Sequence, residues 1–154
     1  MIPTKRRLKV LSGLFALLGV AGFVDATYLT VKHFIGTPIA CSIFNGCDTV
    51  TTSVYSQIGP VPVALLGALY YLTLIILGVY VFDTGSKLAL KIAAAITGVG
   101  FLFSIILVYI QIFILGSICL YCVISAVVTT LMFILAIVIL RDKKYEVIGE
   151  KNYE

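Results

Sequence analysis

Long apolar runs, separated by short clusters of charged or turn residues, dominate the chain. A bilayer core of about 30 Å needs roughly 20 apolar helical residues to cross it. Four runs meet that length: about Val10 to Phe34, Val61 to Phe82, Leu88 to Leu115 and Cys119 to Leu140. The first contains one acid, Asp25; the second has no charge in 22 residues; the third carries Lys91 near its start. Their connections are the 26-residue segment Ile35 to Pro60, the turn from Asp83 to Lys87, and Gly116-Ser117-Ile118. Short links imply antiparallel neighbours, so the pattern predicts an all-α integral membrane protein: a single domain over residues 1–154 folded as a bundle of four transmembrane helices. No internal repeat is evident, and the tail after Arg141 reads as a charged, frayed end.

Composition narrows the class further. The 154 residues are 61% hydrophobic and 12% charged, with a mean hydropathy of +1.15. A soluble domain carries about 25% charged residues, so this chain lacks the polar groups to cover a water-facing surface. It is too apolar for a disordered chain, and four cysteines in 154 residues do not make a disulfide-dense mini-protein.

The net charge of +4 matters for its placement. Lys and Arg near span ends stay on the cytoplasmic side. Lys5, Arg6, Arg7 and Lys9 precede the first span, Lys87 and Lys91 lie between the second and third, and Arg141, Lys143, Lys144 and Lys151 follow the fourth. Ten of the eleven therefore share one face, and Lys32 at the other end can snorkel to the interface. Both termini are expected in the cytoplasm, with the Ile35 to Pro60 loop and the Gly116 turn outside. Because the basic residues flank membrane spans, lipid is the expected neighbour and nucleic acid is not an expected partner. The basic start, the apolar core Val10 to Val24 and the small residues that follow also suit a cleavable signal peptide, but the apolar pattern continues through Tyr28, Leu29 and Val31, and cleavage would leave an odd number of spans.

Cys41, Cys47, Cys119 and Cys122 all fall on the predicted outer side, where disulfides persist. Cys119-Leu120-Tyr121-Cys122 is a C-x-x-C at the outward start of a helix, where free amides and the helix dipole stabilise a thiolate. A disulfide enclosing two residues constrains little chain entropy, which favours redox work over stabilisation. Cys41 and Cys47 lie in a turn-rich loop with Gly36, Pro38, Asn45 and Gly46. A mobile dithiol above a fixed one suits a thiol-disulfide relay. Two structural disulfides holding the loop, or a four-cysteine zinc site, remain the alternatives from the residues themselves; the zinc reading suffers because only one pair has C-x2-4-C spacing.

The run Cys47-Asp48-Thr49-Val50-Thr51-Thr52-Ser53, followed by Gly59-Pro60-Val61-Pro62-Val63-Ala64-Leu65-Leu66-Gly67 and Tyr71, resembles the prokaryotic members of the vitamin K epoxide reductase family. Asp25-Ala26-Thr27-Tyr28-Leu29-Thr30 with His33, Tyr109-x-Gln111 and the final C-x-x-C extend the resemblance over about residues 10 to 140. The order of motifs, loop pair first and C-x-x-C last, differs from disulfide bond formation protein B. The resemblance implies a four-helix quinone reductase, with ubiquinone or menaquinone as electron acceptor, that oxidises a thioredoxin-like partner, soluble or anchored, and so supports disulfide formation. It also implies an order: Cys41 takes the attack of the partner, Cys47 attacks Cys119, and Cys122 is released beside the quinone. Ser53 matches a hydroxyl that supports the quinone site. Val63 and Ala126 stand where vertebrate members have an Asn and a Tyr, which favours a quinone over an epoxide as substrate.

Two further residues are candidates at the quinone site. Asp25 is the one acid within a span, a default functional position, and is expected near the midplane, where it relays a proton or simply bonds a neighbouring helix. His33 is either a proton donor to reduced quinone or an interfacial residue at a span end. Asp48 is expected to cap a short helix over Thr49 to Gln57, stopped by Gly59-Pro60 and lying on the bundle as a lid, with Val54, Tyr55 and Ile58 facing down. Gly98 and Gly100 are expected to let helices approach closely.

Overall fold

The computed structural model describes residues 4–39, 41 and 46–142. Asn45 and the basic tail beyond Asp142 lie outside them. Four long helices are present: α1 (Thr4–Ile35), α3 (Val63–Thr84), α4 (Lys87–Tyr109) and α5 (Leu120–Arg141), with a short α2 (Cys47–Thr51) between the first two. All four are long and apolar enough to cross a membrane. Helix α1 begins about six residues before the expected span because Arg6, Arg7 and Lys9 are good helix formers that extend the helix beyond its apolar stretch.

The loops fix antiparallel neighbours. Gly85 takes φ +66° at the end of α3, a left-handed conformation that glycine adopts without strain, and the Ser86 hydroxyl accepts the Ala89 N–H at 3.4 Å to start α4. Helix α1 packs against both α3 and α5, α4 packs against α5, and the α3–α4 seam is looser. The start of α1 and the end of α5 meet at one end of the bundle, where Arg7 pairs with Asp142 at 3.6 Å and Lys9 lies 5.5 Å from the Phe82 ring. All four cysteines lie at the opposite end, separated from the basic end by the length of a 22-residue helix, about 33 Å.

The core is a column of close-packed side chains along the bundle axis. Tyr71, Leu74, Met132 and Ala136 are buried, with Phe15, Ala93 and Val128 around them. Large apolar residues such as Leu17, Val24, Ile76, Val99 and Leu102 face outward instead, as lipid-solvated helices require. Two of the buried hydroxyls are satisfied within their own helix: Thr30 donates to the Ala26 carbonyl at 2.7 Å and Thr97 to that of Ala93 at 3.0 Å.

The expected lid differs in form. Gly46, not Asp48, is the N-cap residue of α2, and no side chain caps it. The helix stops at Thr51, and a 3-10 turn (Val54–Ser56) leads into a two-stranded hairpin, β1 (Gln57–Ile58) and β2 (Val61–Pro62), closed at Gly59-Pro60. The Thr51, Thr52 and Ser53 hydroxyls donate back to the carbonyls of Cys47, Asp48 and Val50 at 2.8, 2.7 and 2.7 Å. Such local bonds compete with helical continuation. Val54 is 82% exposed and Ile58 54%, so neither faces down; Tyr55 does border the bundle's cavity.

Candidate functional site

The α4–α5 connection builds the inner cysteine pair. After Tyr109 the helix widens into one π turn (Ile110–Ile114), in which the Leu115 N–H reaches the Ile110 carbonyl at 2.9 Å. Such a turn re-aims side chains and often marks functional sites. Here it carries Gln111 inward, where its Oε1 accepts the Cys119 N–H at 3.0 Å. Cys119 is therefore not in the first turn of α5, as the sequence pattern suggests, but is its extended N-cap residue; Cys122 occupies the first turn.

The outer pair is laid directly on this helix start. Cys41 and Cys47 form a disulfide, with Cα atoms 5.9 Å apart. Cys47 is buried, and its Sγ accepts the Leu120 N–H at 3.3 Å. A sulfur held there by a helix N-terminal amide is stabilised when it carries negative charge. Cys47 and Cys119 share one packed cluster with Leu29, Ile39 and Val50, while Cys41 is half-buried at its edge. The close approach depends on Gly46: a Cβ there would lie 2.7 Å from the Ile118 nitrogen and 2.8 Å from its carbonyl oxygen, contacts only a glycine avoids.

Cys119 and Cys122 carry free thiols. The Cys119 thiol is pushed down to about 7, first by the hydrogen bond offered by the Cys122 thiol and then by the amides of Cys122 and Tyr121, against the opposing effect of burial. The amides act electrostatically, since no complete side-chain cap hydrogen bond forms. An acid whose value is lowered is charged above that value, so exchange initiated by the Cys119 thiolate should rise between pH 6 and 8 and level off above. In Cys122→Ser the midpoint should move upward. Rapid-quench alkylation, following formation of a Cys47–Cys119 bridge against pH, measures both.

A cavity of about 540 Å³ lies beneath the pairs and is bordered by α1, α3, α4, α5 and the hairpin segment. Its lining is mainly apolar with a few polar groups, the usual make-up of an organic-ligand site. Of the two inner cysteines, Cys122 lines it and Cys119 does not. Asp25, His33 and Ser53 all border it, as do Val63 and Ala126. The Asp25 Oδ2 is buried without a hydrogen bond. The Ser53 hydroxyl donates to its own Val50 carbonyl, so toward a ligand it offers lone pairs. No cluster of three or more potential metal ligands occurs among the described residues.

Tyr71 ties two helices together at the cavity. Its hydroxyl is bonded to the Ser125 carbonyl at 2.9 Å, the Ser125 hydroxyl at 2.7 Å and the Thr129 hydroxyl at 2.9 Å, joining α3 to α5 at the cavity wall. Gly22 of α1 lies against its ring and Gly100 of α4 against the Tyr70 hydroxyl, close approaches that a side chain would block. Of these two, Gly100 was legible as a helix-contact glycine; Gly22 carried no separate signal in its apolar run.

Fold and site together define a membrane protein that sets two neighbouring cysteine pairs at one end of a helical bundle, with one thiol opening into an apolar cavity. The family model described as the vitamin K epoxide reductase family matches residues 14–137, and the chain belongs to that family of membrane oxidoreductases. A comparison with curated proteins finds no match.

Proposed function

We propose that the protein is a membrane thiol:quinone oxidoreductase that oxidises an extracytoplasmic thioredoxin-like partner and passes the electrons through Cys41/Cys47 and Cys119/Cys122 to a quinone. The single observation that carries this is the division of labour in the inner pair. Cys119 is packed with Cys47, while Cys122 faces the cavity. The orientation rests on the basic end of the bundle, which the positive-inside tendency assigns to the cytoplasm.

Each exchange then balances. A partner thiolate attacks Cys41, the more accessible sulfur of its pair, and Cys47 leaves as a thiolate beside the Leu120 amide. The partner's second thiol releases Cys41 and leaves the partner oxidised. Cys47 attacks Cys119 of a Cys119–Cys122 disulfide, expelling the Cys122 thiolate; Cys41 then attacks Cys47, restoring the outer disulfide and freeing Cys119. The outer bridge and inner free thiols of the structure correspond to this stage, with two electrons stored in the inner pair. A quinone bound in the cavity would supply the two-electron sink, accepting two electrons and two protons as Cys119 and Cys122 close their disulfide. Asp25, with an unbonded oxygen at the cavity wall, and His33, which also borders the cavity, would hold those protons.

The cavity fits such an acceptor. Its volume lies within the range of cofactor sites, and its length along α4 and the π turn, from Ala95 to Gln111, suits a ring with an apolar tail. Val63 and Ala126 in its wall offer no hydrogen bond of the kind that serves an epoxide. The test is oxidation of an added reduced thioredoxin-like protein by the full chain in lipid nanodiscs. With excess quinone, oxidation should continue through many turnovers. Without quinone it should stop after a burst no larger than the chain's own disulfides; sustained quinone-independent oxidation, or none in either case, would refute the assignment.

A further inference from the structure

Gln111 has its carboxamide orientation set by the fold. A backbone N–H only donates, so the atom facing Cys119 N–H at 3.0 Å must be the carboxamide oxygen, and the NH2 group points elsewhere. The side chain is 4% exposed and lines the cavity, yet its Nε2 has no hydrogen bond among the described residues. The NH2 group is a donor left available to a ligand in the cavity. Of the other polar groups at the cavity, the Thr51, Ser53 and Ser56 hydroxyls donate to carbonyls within their own turns, and Tyr71, Ser125 and Thr129 bond one another, while the Asp25 Oδ2 and the Tyr70 hydroxyl are buried without partners.

Resting on the quinone assignment, we infer that the Gln111 Nε2 donates a hydrogen bond to one carbonyl oxygen of the bound quinone, which makes Gln111 an acceptor-binding residue tied to the backbone of Cys119. A quinone carbonyl only accepts, and the NH2 group only donates, so the two are complementary. The same side chain that anchors the C-x-x-C start thus holds the acceptor ring in register with the Cys122 thiol, two groups that a near-attack geometry must bring together. The π turn supplies the inward placement: a regular helix continuing through Ile110–Ile114 would rotate this position relative to Cys119.

Isotope-edited infrared spectroscopy of quinone labelled with carbon-13 at its carbonyls, bound to the full chain in nanodiscs, tests this directly. In the wild-type protein one carbonyl band should fall below its position for the free quinone. Gln111→Leu should abolish that shift and raise KM for quinone about tenfold, the loss of one hydrogen bond. Gln111→Glu at pH 8 keeps an acceptor for the Cys119 N–H but lacks the NH2 donor, and should lose the shift as well. Full rescue by Glu would reduce Gln111 to a structural cap and overturn the inference, as would two unshifted carbonyl bands in the wild type or a shift that survives Gln111→Leu. If the wild type retains no quinone, the quinone assignment itself falls and this inference with it; quinone bound with unshifted bands leaves that assignment standing.

Discussion

Replacing Cys122 by Ser should stop the proposed quinone-dependent oxidation of a reduced thioredoxin-like protein, lowering turnover on the order of a thousandfold or more, as expected when one member of a jointly acting set is removed. The loss leaves a distinctive product. Cys119, deprived of its internal partner, can still attack Cys47 of the outer disulfide, forming a Cys47–Cys119 bridge and releasing Cys41. The Leu120 amide on the Cys47 sulfur and the packing of Cys47 with Cys119 place these atoms for that exchange. Peptide mapping after alkylation should therefore find Cys41 labelled and Cys47 joined to Cys119 in the variant. An inactive variant whose Cys41–Cys47 bridge is unaltered would break the link between the two pairs; a fully active one would remove Cys122 from the chemistry.

The second large effect concerns stability. Gly22→Ala should destabilise the bundle by about 3 kcal/mol, at the upper end of the overpacking range. A Cβ at Gly22 runs into the Tyr71 ring, which cannot swing away: it is 1% exposed, and its hydroxyl is held by Ser125 and Thr129. The cause can be isolated by a double-mutant cycle. In a Tyr71→Ala background, itself destabilised by the space left behind, adding Gly22→Ala should cost less than about 1 kcal/mol, a coupling of roughly 2 kcal/mol. Unfolding in mixed detergent micelles measures all four proteins. Equal penalties in both backgrounds would show that the helix contact is not what Gly22 protects.

The spans were legible because membrane thickness imposes a length on any crossing helix, and each apolar run ends at residues that cannot continue it cheaply. The cysteine pairs were legible for a different reason: few other features concentrate reactive side chains at one end of so apolar a chain. Two kinds of information were hidden. Apolar helices without a polar stripe do not reveal how they are rotated, so the Tyr71 contacts to Ser125 and Thr129, 54 and 58 residues away, could not be read from pattern. Local side-chain competition was the other. Thr51, Thr52 and Ser53 look compatible with a helix running on from Asp48, but their hydroxyls bond back to the preceding turn, and the segment ends as a 3-10 turn and hairpin. Gln111 combined both problems, since a π turn gives no sequence signal and its partner, the Cys119 amide, is a backbone group. Asp25 and His33, named from the sequence for their ionisable side chains in or beside a span, both border the cavity.

In the proposed relay, electrons leave the protein from the inner pair into the cavity. Its most direct test is a single turnover of the fully reduced chain in nanodiscs with one equivalent of quinone, quenched at successive times with an alkylating reagent and mapped by mass spectrometry. One quinone should be reduced per disulfide formed, and at the earliest times Cys119 and Cys122 should become protected while Cys41 and Cys47 are still labelled. Early protection of Cys41 and Cys47 with Cys119 and Cys122 still labelled, or disulfide formation without quinone reduction, would contradict it.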